Sequence, residues 1–333
     1  MSSNTVDILN TIRDNLQYFY YVIFLYGTIG NFLNTMIFSR LKPFHGNRCA
    51  FYFTMEAIGG IVFLFLGLIN SIARQIHGSD LVDSVLIWCR IRFITMHGMA
   101  LILFFTICCA ACDQFWSTHY RFGVRYQYPL KLARYIMLIS SCIWLSHSIV
   151  FALFLNIQSS SSGCVITNFI LIWYSTYCFY PILYGPLQIF LAFVFSLLAY
   201  RNVRHIIRQQ ISIERRQLDQ QMTAMVLIRV IFCLILGLPY TCFRIYIINH
   251  PFTRSNLLRY TIGQILQIIV SLLFSANFAS NFYIFFATSA QFRRQVKYFF
   301  RQKTNRFHGN IGEVKLYSRE LTHRHFYHSF VVM

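Results

Sequence analysis

Acidic residues are what this sequence most lacks: Asp and Glu together number 10 among 333 residues, against 29 Lys and Arg. Charged residues of either sign make up only 12% of the chain, where an ordinary soluble domain carries about 25%. With 56% hydrophobic residues, a chain so poor in charge would leave large apolar patches in water, which excludes a soluble fold. No Gly-rich phosphate loop, His-rich cluster or carboxylate pair occurs inside the apolar runs, so enzyme activity has no support. Neither a metal nor a cofactor is expected. No basic segment precedes a cleavable apolar core at the start, which argues against a signal peptide. No Asn-x-Ser/Thr sequon occurs either, so glycosylation cannot mark sidedness.

Long apolar runs are there instead. Seven are of membrane-spanning length: Tyr18 to Phe38, Cys49 to Ala73, Trp88 to Phe115, Tyr135 to Ile157, Tyr177 to Tyr200, Ala224 to Asn249, and Tyr260 to Thr288. They are continuous, not ten-residue alternations, so helices are expected and a β-barrel is not. The 35 Phe and 21 Tyr fit lipid contact, with Tyr near the headgroups. The fold expected is an all-α integral membrane bundle of seven helices in one domain. Its third run stands out. Cys89 opens it and Asp113 closes it, about 36 Å apart at 1.5 Å per residue, with almost no charge between. The other six helices are expected to pack round it.

The net charge of +19 is informative by placement and does not point to nucleic acid. With the N-terminus outside, inner loops and tail hold 21 of the 29 Lys and Arg. Outside lie only Arg13, Arg74, Arg254 and Arg259. Arg90, Arg92, Arg229 and Arg244 fall at or within helix ends, where they are expected to snorkel. The positive-inside rule thus places residues 1–16 outside, the seven-helix domain over 17–302, and a polar, disordered tail over 303–333 inside. That polarity disfavours the insect-type chemosensory channels, which run with the N-terminus inside. Phe292, Val296 and Phe299 face away from Arg293, Arg294, Lys297 and Arg301, predicting an interfacial amphipathic helix over about 290–301. Of 10 cysteines, only Cys89 and Cys164 both fall near the outer face, where a bridge is permitted. Two unpaired buried thiols are the alternative.

The landmarks along residues 15–302 resemble those of the rhodopsin-like (class A) G-protein-coupled receptors. Gly30-Asn31 resembles the Gly-Asn of the first helix, Trp144 the fourth-helix Trp and Pro186 the fifth-helix Pro. Cys89 and Cys164 resemble the bridge from third helix to second outer loop. Asp113-Gln114-Phe115 stands where the family has Asp-Arg-Tyr. Residues 232 to 240, ending in Gly237-Leu238-Pro239-Tyr240, resemble the sixth-helix box. Asn277, Asn281, Phe282 and Phe285 resemble the seventh-helix Asn-Pro-x-x-Tyr region, and Phe292-Arg293 the start of the eighth helix. Five departures go with these. Gln114 replaces the Arg, Gly237 the sixth-helix Trp, and Phe282 and Phe285 the seventh-helix Pro and Tyr. Gly59-Gly60 stands where the second helix has an Asp, which puts the family's sodium site in doubt.

The resemblance implies a plasma-membrane receptor that binds an extracellular ligand and signals to a heterotrimeric G protein by movement of the sixth helix about Pro239. Asp113, Gln114, Phe115, Asn277, Asn281 and Phe285 would belong to the switch. A retinal Schiff base needs a seventh-helix Lys, which is missing. An amine receptor would have an Asp where Met96 stands. The outer halves of the spans offer Asn70, Arg74, Arg92, Met96, His97, Tyr184, Tyr240, Arg244, Gln267 and Ser271. Such a set suits a peptide, one with an acidic group or a C-terminal carboxylate; the plainer alternative is that several snorkel or cap helix ends. His97 is open between an interhelical hydrogen bond and a switch, and Glu56 between a function and a structural bond. Arg204, Arg208, Arg215, Arg216, Arg293 and Arg294 form an expected basic rim, read either as a docking surface for the transducer or as anionic-lipid contact. Two other readings compete: a seven-helix receptor that binds without coupling, as a decoy, and a transporter or channel. The last would show an inverted repeat, and none is found.

Overall fold

An apolar run in hydrocarbon must satisfy every backbone N–H and C=O internally, and a helix does so within one segment. The computed structural model describes residues 3–44, 46–118, 129–158, 163–206, 213–250 and 257–301. Among them, seven helices are long and apolar enough to cross a membrane: Ile8–Arg40, Arg48–Ile76, Leu86–Ser117, Leu130–Leu153, Phe169–Val203, Gln217–Asn249 and Leu257–Ala279. These are the first to seventh spans. Among the described residues the architecture is helical apart from one strand pair, and it is compatible with a multi-pass membrane protein.

Several boundaries differ from the sequence expectation. The first helix is continuous over Ser3–Arg40, so most of the polar segment 1–16 is helical, in keeping with its lack of Pro and Gly. The fourth span ends at Leu153, and the chain then forms an antiparallel pair, β1 (Leu155–Gln158) with β2 (Gly163–Ile166). The fifth span begins at Phe169 instead of Tyr177, because the Asn168 side chain accepts from the Ile170 N–H at 2.9 Å and caps it. Within that span Ser175–Leu183 is a π-helical stretch containing Pro181, and the Tyr184 N–H reaches back to the Phe179 carbonyl at 2.8 Å. The sixth helix, Ile213–Asn249, passes through Pro239 without a break. The seventh stops at Ala279, followed by a short helix Asn281–Thr288.

Helix ends are set by local chemistry. Between the first two spans Gly46 takes φ 77°, a left-handed conformation that glycine adopts without strain. Asn47 then caps the second span, accepting from Cys49 and Ala50 at 2.9 and 3.2 Å. Farther in, the Asn31 side chain donates to the Phe278 carbonyl at 3.0 Å and ties the first span to the seventh. Gly60 makes room for it: a Cβ there would stand 2.9 Å from Asn31 Nδ2.

The third span is central in part. It packs against the second, fourth, fifth and sixth spans, and 56% of its most apolar window is buried, against 28% for the fourth. It meets the seventh through Phe104, whose ring lies 5.8 Å from Phe274. The first span does not pack on it closely, so the expected ring of six neighbours is incomplete.

The chain divides into two compact units, Met1–Thr288 and Ser289–Met333. In the second, residues 290–301 are helical, started by Ser289, whose hydroxyl accepts from the Phe292 N–H at 3.1 Å. Phe292, Val296 and Phe299 are its buried side chains, and Arg294, Lys297 and Arg301 are exposed. The expected tail, 303–333, lies outside the described residues.

Candidate functional site

Cys89, fully buried, and Cys164 on β2 are at disulfide distance, with Cα atoms 6.0 Å apart. The hairpin is held to the third span a second way. Arg90 donates from Nη2 to the carbonyls of Leu153 and Leu155, at 2.9 and 3.2 Å, so it is a carbonyl anchor and not a snorkelling residue.

Below this disulfide end, rings from the third, fifth, sixth and seventh spans form one cluster. Tyr180 is its hub and is 1% exposed. Arg244 Nε donates to the Tyr180 hydroxyl at 3.3 Å, and His97 Nε2 lies 3.3 Å from the same oxygen. Arginine only donates, so Tyr180 accepts from it and has its own proton left for His97. The guanidinium also sits 5.9 Å from the Tyr180 ring centroid. Tyr184 packs beside His97, at 5.1 Å between centroids, and stacks towards Phe274, which in turn stacks on Tyr240 at 4.4 Å. No carboxylate among the described residues pairs with Arg244. Its hydrogen-bond partner among the described residues is the Tyr180 phenol.

Of the ten expected ligand residues, the structure therefore brings His97, Tyr184, Tyr240 and Arg244 together. Arg92 is half-buried on the same helix as His97. Asn70 donates to Leu66 of its own helix at 3.0 Å. Arg74, Met96, Gln267 and Ser271 are half-buried and join the cluster through no hydrogen bond among the described residues. Tyr180, the hub, was missed by sequence reasoning; its one signal was adjacency to Pro181. For His97 the interhelical bond is what the geometry contains.

The opposite, Asp113 end is built from polar groups. Asp113 pairs with Arg48 of the second span at 2.9 Å, both nearly buried. Gln114, 2% exposed, accepts at Oε1 from the Thr223 hydroxyl of the sixth span at 3.1 Å. Phe115 lies 5.6 Å from Phe195 of the fifth span. Farther into the bundle, Arg229 donates from Nε to Glu56 Oε1 and from Nη1 to Asn277 Oδ1, both at 2.6 Å. Arg229 is 1% exposed, Glu56 2% and Asn277 0%. This overturns the expectation that Arg229 snorkels, and gives Glu56 a partner. Its carboxylate neutralises a charge that could not otherwise be buried. Asn281 is buried with its Oδ1 unpartnered. Phe285 fills the core against Phe53, at 4.9 Å.

The basic rim is described only in pieces. Arg208 lies outside the described residues, as do the side chains of Arg204, Arg215 and Arg216; Arg294 is exposed on the 290–301 helix. No protein-family model matches the chain, and comparison with curated proteins finds no match.

Proposed function

We propose that this chain is a receptor of the rhodopsin-like G-protein-coupled type. It lies in the plasma membrane with its N-terminus outside, binds a peptide and signals to an intracellular G protein. One observation carries the reading: the third and sixth spans meet at both ends, through Tyr180 between His97 and Arg244 at one and through Gln114 and Thr223 at the other. A ligand that displaces the first contact changes the relative position of two helices that also meet at the second. Arg244, hydrogen-bonded to a phenol and to no carboxylate among the described residues, is the group that recognises an acidic side chain or terminal carboxylate on the peptide. A docked carboxylate competes with Tyr180 for the guanidinium, and the freed ring shifts the sixth span about Pro239.

The test is a second-messenger and calcium assay in cells against short peptides, each as free acid and as amide. A responsive peptide acid should lose about 10- to 100-fold in potency on Arg244→Gln, and its response should disappear with Cys89→Ser. Equal potency of acid and amide would sink the carboxylate assignment. Gln114 favours a second reading, a receptor that binds without coupling, because an amide carries none of the charge of the family's Arg. A chain that binds labelled peptide but signals only as Gln114→Arg would establish it.

A further inference from the structure

We infer that Glu56, Arg229 and Asn277 form a latch that holds the Asp113-side half of the sixth span closed, and that opening it admits water to the bundle interior. Arg229 lies about 18 Å along the sixth span from Gln217, deep among apolar side chains. Burying an ion pair is not a stabilising device in itself, since apolar residues of equal volume pack at least as well. What the pair supplies is position. One guanidinium fixes the sixth span against the second through Glu56 and against the seventh through Asn277, each at 2.6 Å. Both bonds are directional, so a displaced sixth span loses them together.

The guanidinium is buried with its charge met by one carboxylate. A displaced sixth span that loses Glu56 leaves that charge uncompensated, and admitting water to the bundle interior hydrates it. Thr223, on the same half, is tied to Gln114. Both ties precede Pro239, whose ring removes a backbone donor and gives that half a point about which to swing.

Cys233 reports on the latch. It follows Arg229 by one helical turn, is 0% exposed, and its Sγ accepts from Asn277 Nδ2 at 3.8 Å. An ionised thiol attacks a methanethiosulfonate and expels methanesulfinate, forming a mixed disulfide, so the rate at Cys233 rises when water arrives there. The full chain in lipid nanodiscs is treated with methanethiosulfonate-ethylammonium, and modification is followed cysteine by cysteine by mass spectrometry. Cys142 and Cys242, exposed on the outer surface of the fourth and sixth spans and so facing lipid, serve as controls whose rates the latch leaves unchanged.

Glu56→Gln, which leaves Arg229 charged and unpaired, should raise the Cys233 rate about tenfold or more. The double variant Glu56→Leu with Arg229→Met removes both bonds and leaves no charge beside Cys233, so it should also raise the rate, and there the rise cannot come from an unpaired guanidinium ionising the thiol. An unchanged rate in Glu56→Gln, or a native rate in the double variant, overturns the latch. Should Glu56→Gln fail to form the Cys89–Cys164 bridge, Asn277→Ala takes its place: it removes one arm, and a native rate there is equally fatal. The effect on signalling rests on the receptor reading, whereas the effect at Cys233 does not. A latch that opens in a chain deaf to every peptide upholds the inference and counts against the receptor.

Discussion

At the disulfide end the third, fifth, sixth and seventh spans meet through stacked and edge-on rings, with Phe179, Tyr180 and Tyr184 buried to 1% exposure or less. At the Asp113 end the second, third, sixth and seventh spans meet through an ion pair, a carboxylate–guanidinium–amide triad and one amide–hydroxyl bond. Ring packing is non-directional and yields gradually when a helix shifts. A buried hydrogen-bonded charge yields abruptly, because the partner left behind is uncompensated. The third, sixth and seventh spans join the two ends, so under the proposed receptor reading the first would serve as an input that adapts in shape and the second as an output that changes in steps.

The sharpest way to break that contrast is at the buried charge. Glu56→Gln should cost about 3–5 kcal/mol of stability, giving the largest fall in the thermal-unfolding midpoint in detergent; Glu56→Leu with Arg229→Met should recover most of it. Next comes Cys89→Ser, expected to cost about 2–4 kcal/mol by freeing the loop to Cys164. It should leave the Cys233 labelling rate unchanged, because the strap lies at the other end.

These two cases also show what the sequence makes legible. Cys89 and Cys164 were readable as a pair because hydropathy and Lys/Arg placement put both at one face. The partnership of Glu56 with Arg229 was not. The residues are 173 positions apart, and nothing in a single sequence indicates which faces of two helices meet. Arg229 was therefore read as a snorkelling residue, because it lies within two helical turns of Ala224, where its apolar run begins. Tyr180 was hidden for another reason. One Tyr among 21 carries no distinguishing pattern, and the π-helical stretch about Pro181 that turns its ring inward is a feature of backbone geometry. Span number followed from hydropathy. Span ends did not, because caps such as Asn168 and strands such as β1 act over only a few residues.

Smaller effects sharpen the comparison. Tyr180→Phe keeps the ring packing and removes the oxygen shared by Arg244 and His97. Its stability cost should be about 1–2 kcal/mol, with peptide affinity affected more than the unfolding midpoint. Thr223→Val removes the hydroxyl that Gln114 accepts from, at about 1 kcal/mol. Its signature is raised basal signalling with no change in peptide binding, the reverse of Tyr180→Phe.

The most direct test of the two-ended account needs no ligand. Spin labels at Ser117 and Gln217 report the separation of the third and sixth spans at the Asp113 end, and labels at Val85 and Asn249 report it at the disulfide end. Both pairs are measured in nanodiscs by pulsed electron resonance, in a background in which Cys142, Cys233 and Cys242 are replaced, for the native chain and for Glu56→Gln. The account predicts a longer, broader distance for the first pair and an unchanged distance for the second. If both pairs keep their native distances, or both spread alike, the ends do not differ in the way described and the account is wrong.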